Sequence, residues 1–220
     1  MLDKEVRAMQ FFVLRHVVGS SDETEFETVA PTTLGEAPTC PVCREGYIGM
    51  KPWLPPYTAE IRLRGEHLGD VAFGVGDELL VSEAFRQTWI QSRLLGIDAF
   101  NVASIVRVRA SKASVSASPF YCIEPRYGSA WVDFSRSRFE RNVEPSCLAC
   151  GKGAVINAVR GFSVAEGTWG GEDMFRVLGL PGVVIVSARF RKAVEAHRLK
   201  NVPTVPVASY YAPPLDKRSN

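Results

Sequence analysis

The sequence has only three histidines, no apolar run long enough to cross a membrane, and no marked excess of either charge. Each shortage argues against a class of function. His16, His67 and His197 have no second histidine or cysteine at ligand or triad spacing, so surface or packing roles are expected for all three. No stretch approaches the roughly 18–20 apolar residues that span a bilayer. The opening MLDKEVRAMQFFVLRHVV places Asp3 and Glu5 where a signal peptide is basic, and it lacks a small-residue cleavage site. A cytoplasmic protein is therefore expected. A formal net charge of +2 over 220 residues is not that of a nucleic-acid binder or a polybasic membrane protein. Phosphate-cradling loops are also missing, because no Lys-Ser/Thr pair follows Gly74-Val75-Gly76 or Gly170-Gly171.

Cysteine is scarce but patterned. Four of the five cysteines form two CxxC knuckles, Cys40/Cys43 (CPVC) and Cys147/Cys150 (CLAC). A CxxC turn points two sulfurs at one place, and two such turns supply the four soft ligands of a closed structural zinc site. Zinc there is expected to stabilise the fold by on the order of 10 kcal/mol. The alternatives are a site that has lost its metal, or an intramolecular disulfide. A redox pair is less favoured, since neither knuckle sits between a clear strand and a helix N-terminus. A catalytic zinc needs an open position, which a full set of four cysteines does not leave. Cys122, in SPFYCIEP, reads as a small buried hydrophobe.

Along the chain, Gln10 to His16 (QFFVLRH) reads as a buried strand, followed by an acidic stretch, Ser20 to Thr28. Asp22, Glu23, Glu25 and Glu27 there are expected to form a solvated loop or an acidic contact surface. Trp53 and Tyr57 lie in a Gly/Pro-rich irregular segment and are expected to pack on apolar residues. Ser104 to Ala110 (SIVRVRA) alternates as a half-buried strand, and Tyr121–Ile123 and Ala130–Phe134 read as further strands. Arg136, Arg138 and Arg141 make a small basic patch.

Glu78 to Phe100 and Gly182 to Val207 match at an offset of 105 residues. Val81-Ser82 falls on Val186-Ser187, Phe85-Arg86 on Phe190-Arg191, and Arg93-Leu94 on Arg198-Leu199. Each copy reads as an apolar strand, a serine N-cap and an amphipathic helix ending near a residue suited to a left-handed turn, Gly96 or Asn201. An Asp-led segment precedes each, at Asp70 and at Asp173. The knuckles recur at nearly the same spacing, which predicts an α+β fold of two tandem diverged repeats sharing one four-cysteine zinc site. The expected division is an N-terminal strand and acidic loop (1–39), a first repeat (40–110), connecting strands (111–146), a second repeat (147–207) and a loose tail (208–220). The serines lack the flanking glycines of a nucleophile elbow, so no enzyme is expected.

Two distant CxxC pairs, the strand–Ser–helix ending and the chain length resemble the double-CXXCG motif family of bacterial immunity proteins. The resemblance covers roughly Cys40 to Val207 and is strongest at the knuckles and in PGVVIVSARFRKAVEAHRLKNV. It implies an antidote that binds and neutralises a cognate secreted antibacterial toxin inside the cell. The second knuckle, CLACG, ends in Gly151 as the motif asks, whereas Arg44 stands in that place in CPVCR. Glycine permits a positive-φ turn there and arginine adopts it only at a cost, so a differently shaped first knuckle is expected. The alternative reading is a zinc-ribbon nucleic-acid-binding or transcription-associated module.

Overall fold

The computed structural model describes residues 10–64, 67–75, 78–110 and 119–213. Within them the chain runs β1 (Phe11–Leu14), β2 (Thr24–Thr28), β3 (Thr33–Leu34), β4 (Trp53–Leu54), β5 (Thr58–Leu63), β6 (Val71–Phe73), β7 (Leu79–Ser82), α1 (Glu83–Gln91) and β8 (Asn101–Ala110). It continues with β9 (Phe120–Ile123), β10 (Arg126–Trp131), β11 (Phe139–Arg141), β12 (Ile156–Arg160), β13 (Met174–Leu178), β14 (Leu180–Ser187), α2 (Ala188–His197), β15 (Thr204–Pro206) and β16 (Tyr211–Ala212).

The expected α+β fold of two tandem repeats is not the one adopted. Among the described residues the protein is mostly β, 42% strand against 13% helix, and its two halves close differently. Strands β2-β5-β8-β9-β7-β6 form a closed six-stranded barrel, whereas β10-β13-β14-β1-β15 form an open sheet and β11-β12-β16 a separate small one. The difference lies in the segment after each helix. The ten residues of β8 are long enough to pair with β5 along one part and with β9 along another, which closes the barrel. After α2 the corresponding stretch is broken at Pro206, whose ring fixes φ and removes a ladder donor. Strand β15 therefore stops after three residues on β1, and β16 pairs separately with β12.

Side-chain alternation assigns the cores. In β1, Phe12 and Leu14 face the cluster under the helices, while Phe11 and Val13 face the opposite side of the open sheet. Both faces are covered, so this strand reads as a continuous apolar run. In β7, Leu79 and Val81 meet the helices while Leu80 fills the barrel with Phe26, Ile61 and Phe120. Helices α1 and α2 lie side by side, with Phe190 6.0 Å from Phe85 and 6.2 Å from Trp89 between ring centroids.

The recurring strand–Ser–helix units are present. Ser82 Oγ and Ser187 Oγ each accept the N–H three residues on, Phe85 and Phe190, at 3.1 Å. The left-handed residues also correspond: Arg93 and Gly96 after α1 (φ 51° and 110°), Arg198 and Asn201 after α2 (φ 54° each).

Other expectations change. The acidic stretch is not a solvated loop, because β2 alternates Phe26 into the barrel with Glu25 and Glu27 outward. Arg62 of the neighbouring β5 bonds Glu27 at 2.6 Å, and Arg64, just past the end of β5, bonds Glu25 at 2.8 Å. Trp53 is buried against Phe26 and Tyr57 as expected. Strand β10 begins before Ala130, at Arg126, and Phe134 belongs to a 3-10 turn (Phe134–Arg136) capped by Asp133. The division at residue 110 is no boundary of the barrel, since β9 closes it. Tyr211–Ala212 is a strand rather than loose tail; 214–220, like Gly76 and the start before residue 10, lies outside the described residues.

Candidate metal centre

Each knuckle is built by its own backbone. The N–H of Arg44 donates to Cys40 O at 3.0 Å, and that of Gly151 to Cys147 O at 2.8 Å. Arg44 has φ 59° and Gly151 φ 70°. The expected difference in shape is therefore absent: arginine takes the left-handed turn, and both knuckles present their sulfurs alike. A Cβ on Gly151 would touch nothing within 4 Å, so Gly151→Ala should cost about 1 kcal/mol from the backbone conformation alone. Arg44→Gly should recover up to about 1 kcal/mol, less the entropy of a freer unfolded chain. Denaturant midpoints for both variants check the pair; a Gly151→Ala variant as stable as the parent would contradict this account.

The turns face each other like with like. Cys40 Sγ lies 3.9 Å from Cys147 Sγ, and Cys43 Sγ 3.7 Å from Cys150 Sγ. All four sulfurs fall within 4.8 Å of one another. A tetrahedral site with Zn–S bonds of about 2.3 Å has S···S edges of roughly 3.8 Å, so the cluster has the size of a metal site. No disulfide joins the four, and the sulfur pairs at 3.9 and 3.7 Å stand well beyond an S–S bond of about 2.05 Å. Cys40, Cys147, Ile48, Ala149 and Leu178 form an apolar pocket around the inner sulfurs.

The protonation pattern fits the same donor set. The backbone N–H of Glu45, then that of Gly46, stabilise the Cys43 thiolate and pull its pKa down to about 6. Burial pushes the Cys150 thiol up to about 12, and the neighbouring sulfurs add to the rise. Four thiols in contact cannot all ionise against one another, whereas a central dication lets them do so. Lys152 carries a positive charge beside the sulfurs and pairs with Glu45 of the opposite knuckle. Each partner stabilises the other's charge, so the Glu45 carboxyl is held low and the Lys152 ammonium high.

Gly46 is a site residue that the sequence did not single out. A Cβ there would lie 2.5 Å from Cys150 Sγ. The one available signal was a glycine three residues beyond the second cysteine in both knuckles, Gly46 and Gly153.

The catalytic candidates separate. Ser82 Oγ and Ser187 Oγ donate to Asp70 Oδ1 and Asp173 Oδ1, at 2.5 and 2.6 Å, while capping their helices. No histidine joins either pair among the described contacts. His67 is exposed, and His197 is exposed in the last turn of α2. Cys122 lines an open groove of about 1040 Å³ beside the first knuckle. Burial, with Glu78 and Glu124 near by, pushes its thiol up to about 12, which makes it a poor nucleophile. In the basic patch, Arg136 pairs with Glu166 and Arg141 lies over the rings of Phe134 and Phe139. No helix among the described residues is long and apolar enough to cross a membrane. Comparison of the chain with protein-family models finds no match, and comparison with curated proteins finds none either.

Proposed function

We propose that this protein is a cytoplasmic immunity protein that binds and neutralises a cognate secreted antibacterial toxin, on a scaffold held by one structural Zn2+. The ligands are Cys40, Cys43, Cys147 and Cys150. Zinc is the natural occupant of four thiolates at tetrahedral spacing. The observation that carries the binding reading is the closure of that cluster. A metal ringed by four thiolates keeps no position for substrate, and two of its sulfurs lie in an apolar pocket. The metal is therefore architectural, and the protein acts by stoichiometric binding rather than by turnover. The choice of a toxin as partner rests on the resemblance of the knuckles and the strand–Ser–helix ending to the double-CXXCG immunity proteins.

The zinc-ribbon nucleic-acid reading has less support, because Arg136 is paired with a carboxylate and Arg141 is occupied over aromatic rings. The test is co-expression with the product of any adjacent gene that encodes a large secreted protein. Growth inhibition by that product should be relieved, and the two should elute together in a stoichiometric complex. Absence of both rescue and complex, alongside salt-steep binding to DNA or RNA, would overturn the reading in favour of the nucleic-acid module.

A further inference from the structure

A second group of metal-ligating side chains lies where β1 gives way to β2, on elements that do not carry the knuckles. His16 Nε2 stands 3.6 Å from Glu23 Oε1 and 3.7 Å from Glu25 Oε1. Both separations exceed the 2.7–3.2 Å or so of an N–H···O hydrogen bond. His16 Nε2 and Glu23 Oε1 are buried atoms with no hydrogen-bond partner, and the Glu23 side chain is only 3% exposed. A carboxylate oxygen left so in the interior is strongly unfavourable unless a cation satisfies it. Arg64 does not do so fully: its Nε is 3.4 Å from Glu23 Oε1 and is bonded instead to Glu25 Oε2, at 2.8 Å.

The other carboxylate oxygens are already tied. The Gly19 N–H donates to Glu23 Oε2, and Arg64 Nε to Glu25 Oε2. Each carboxylate is thus held by one oxygen and turns the other toward the point that His16 Nε2 faces. This is how outer-shell donors orient the ligands of a metal. Metal–ligand bonds of about 2.0–2.2 Å in a tetrahedral site place donor atoms roughly 3.3–3.6 Å apart, close to the spacing here. An open pocket of about 290 Å³, lined by His16, Glu25, Phe73 and Gly74 among others, adjoins the group and has room for a water.

We propose that His16, Glu23 and Glu25 bind one divalent transition-metal ion of the zinc class, with water completing the coordination on the pocket side. Imidazole with two carboxylates selects such an ion over Mg2+ or Ca2+. The ion ties the end of β1, a strand of the open sheet, to β2 of the barrel. The sequence holds the pattern as one histidine followed by Glu23 and Glu25, two residues apart in the acidic stretch, a spacing that does not by itself point to a histidine.

The site is tested on the full chain by metal analysis and by titration with Zn2+ and with Co2+. The parent should hold two equivalents of Zn2+. Co2+ at the thiolates gives intense sulfur-to-metal charge transfer, whereas Co2+ at nitrogen and oxygen gives only weak visible bands. His16→Ala and Glu25→Gln should each lose the second equivalent, or weaken it by about 100-fold, and keep the charge-transfer band unchanged. Glu25 is partly exposed, so Glu25→Gln keeps the test alive if a change at buried Glu23 or at His16 prevents folding. A parent holding one equivalent, all of it thiolate-bound, would overturn the proposal. So would a second equivalent that binds equally well in both variants. Neither result depends on whether the protein has a toxin partner.

Discussion

Removing the metal from the four cysteines should lower the melting temperature by more than about 10 °C, and Cys147→Ser should do nearly the same. Structural zinc bound to cysteines contributes on the order of 10 kcal/mol or more of apparent binding free energy. The whole stability of a domain is about 5–15 kcal/mol, so the two quantities are comparable. A metal bound there would join segments 107 positions apart and would bind the folded chain rather than the unfolded one, so its removal takes that binding free energy from the folded state. Cys40→Ser and Cys147→Ser should cost more than Cys43→Ser, because Cys40 and Cys147 are buried while Cys43 is half-buried and backed by solvent. Gly46→Ala should reproduce the loss without touching a ligand, since its Cβ would lie 2.5 Å from Cys150 Sγ and the two knuckles could not close as they do. Thermal melts with and without a strong chelator, together with metal content, check all of this. A protein that melts at the same temperature with chelator, and whose Cys147→Ser form is equally stable, would show that the cluster holds no structural metal.

The four-cysteine cluster was legible because CxxC spacing is a local property of the chain, and only the meeting of the two turns needed the fold. The serine caps and the left-handed residues after each helix were legible for the same reason: Ser82, Ser187, Gly96 and Asn201 act within a few residues of themselves. The barrel was not. Its closure depends on how far β8 extends, since it must reach both β5 and β9, whereas Pro206 interrupts the matching segment after α2 and leaves the other sheet open. Those features leave similar local patterns in the two halves and produce different sheets. The strand within the acidic stretch was hidden because its alternation around Phe26 is masked by glutamates, whose partners Arg62, on β5, and Arg64, just beyond it, are distant in sequence. His16 was passed over because nothing in its neighbourhood in the sequence shows that the chain folds back to bring Glu23 and Glu25 against it.

Asp173→Ala should destabilise the protein by about 3–5 kcal/mol, because it leaves the Ser187 hydroxyl and the Leu95 N–H without their acceptor. Asp173 is 1% exposed. Its Oδ1 accepts the Ser187 hydroxyl at 2.6 Å and its Oδ2 accepts the Leu95 N–H at 3.0 Å. Arg189 Nη1 lies 3.2 Å from Oδ2. Asp70 does the reciprocal task. Its Oδ1 accepts from Ser82 at 2.5 Å and its Oδ2 from the Lys200 N–H at 2.7 Å. Each aspartate therefore fixes the serine cap of the helix in its own half and grips the loop after the helix of the other half. The backbone repeats the exchange, with the Asp70 N–H donating to Lys200 O at 2.8 Å and the Asp173 N–H to Leu95 O at 2.6 Å. This pair is a second clasp between the halves, independent of the cysteines. Asp70→Ala should cost less than Asp173→Ala, because Asp70 is half-buried and water can replace part of what it gives. Asp173→Asn keeps the shape but turns a donor toward the Leu95 N–H or the Ser187 hydroxyl, so it should fall between, at about 1–3 kcal/mol. Denaturant unfolding of the three variants ranks them. In a double-mutant cycle, Asp173→Ala and Ser187→Ala should combine to less than their sum, since each removes the bond the other needs. Additive losses would mean that cap and clasp are separate, and equal losses for Asp70→Ala and Asp173→Ala would mean that burial does not set their weight.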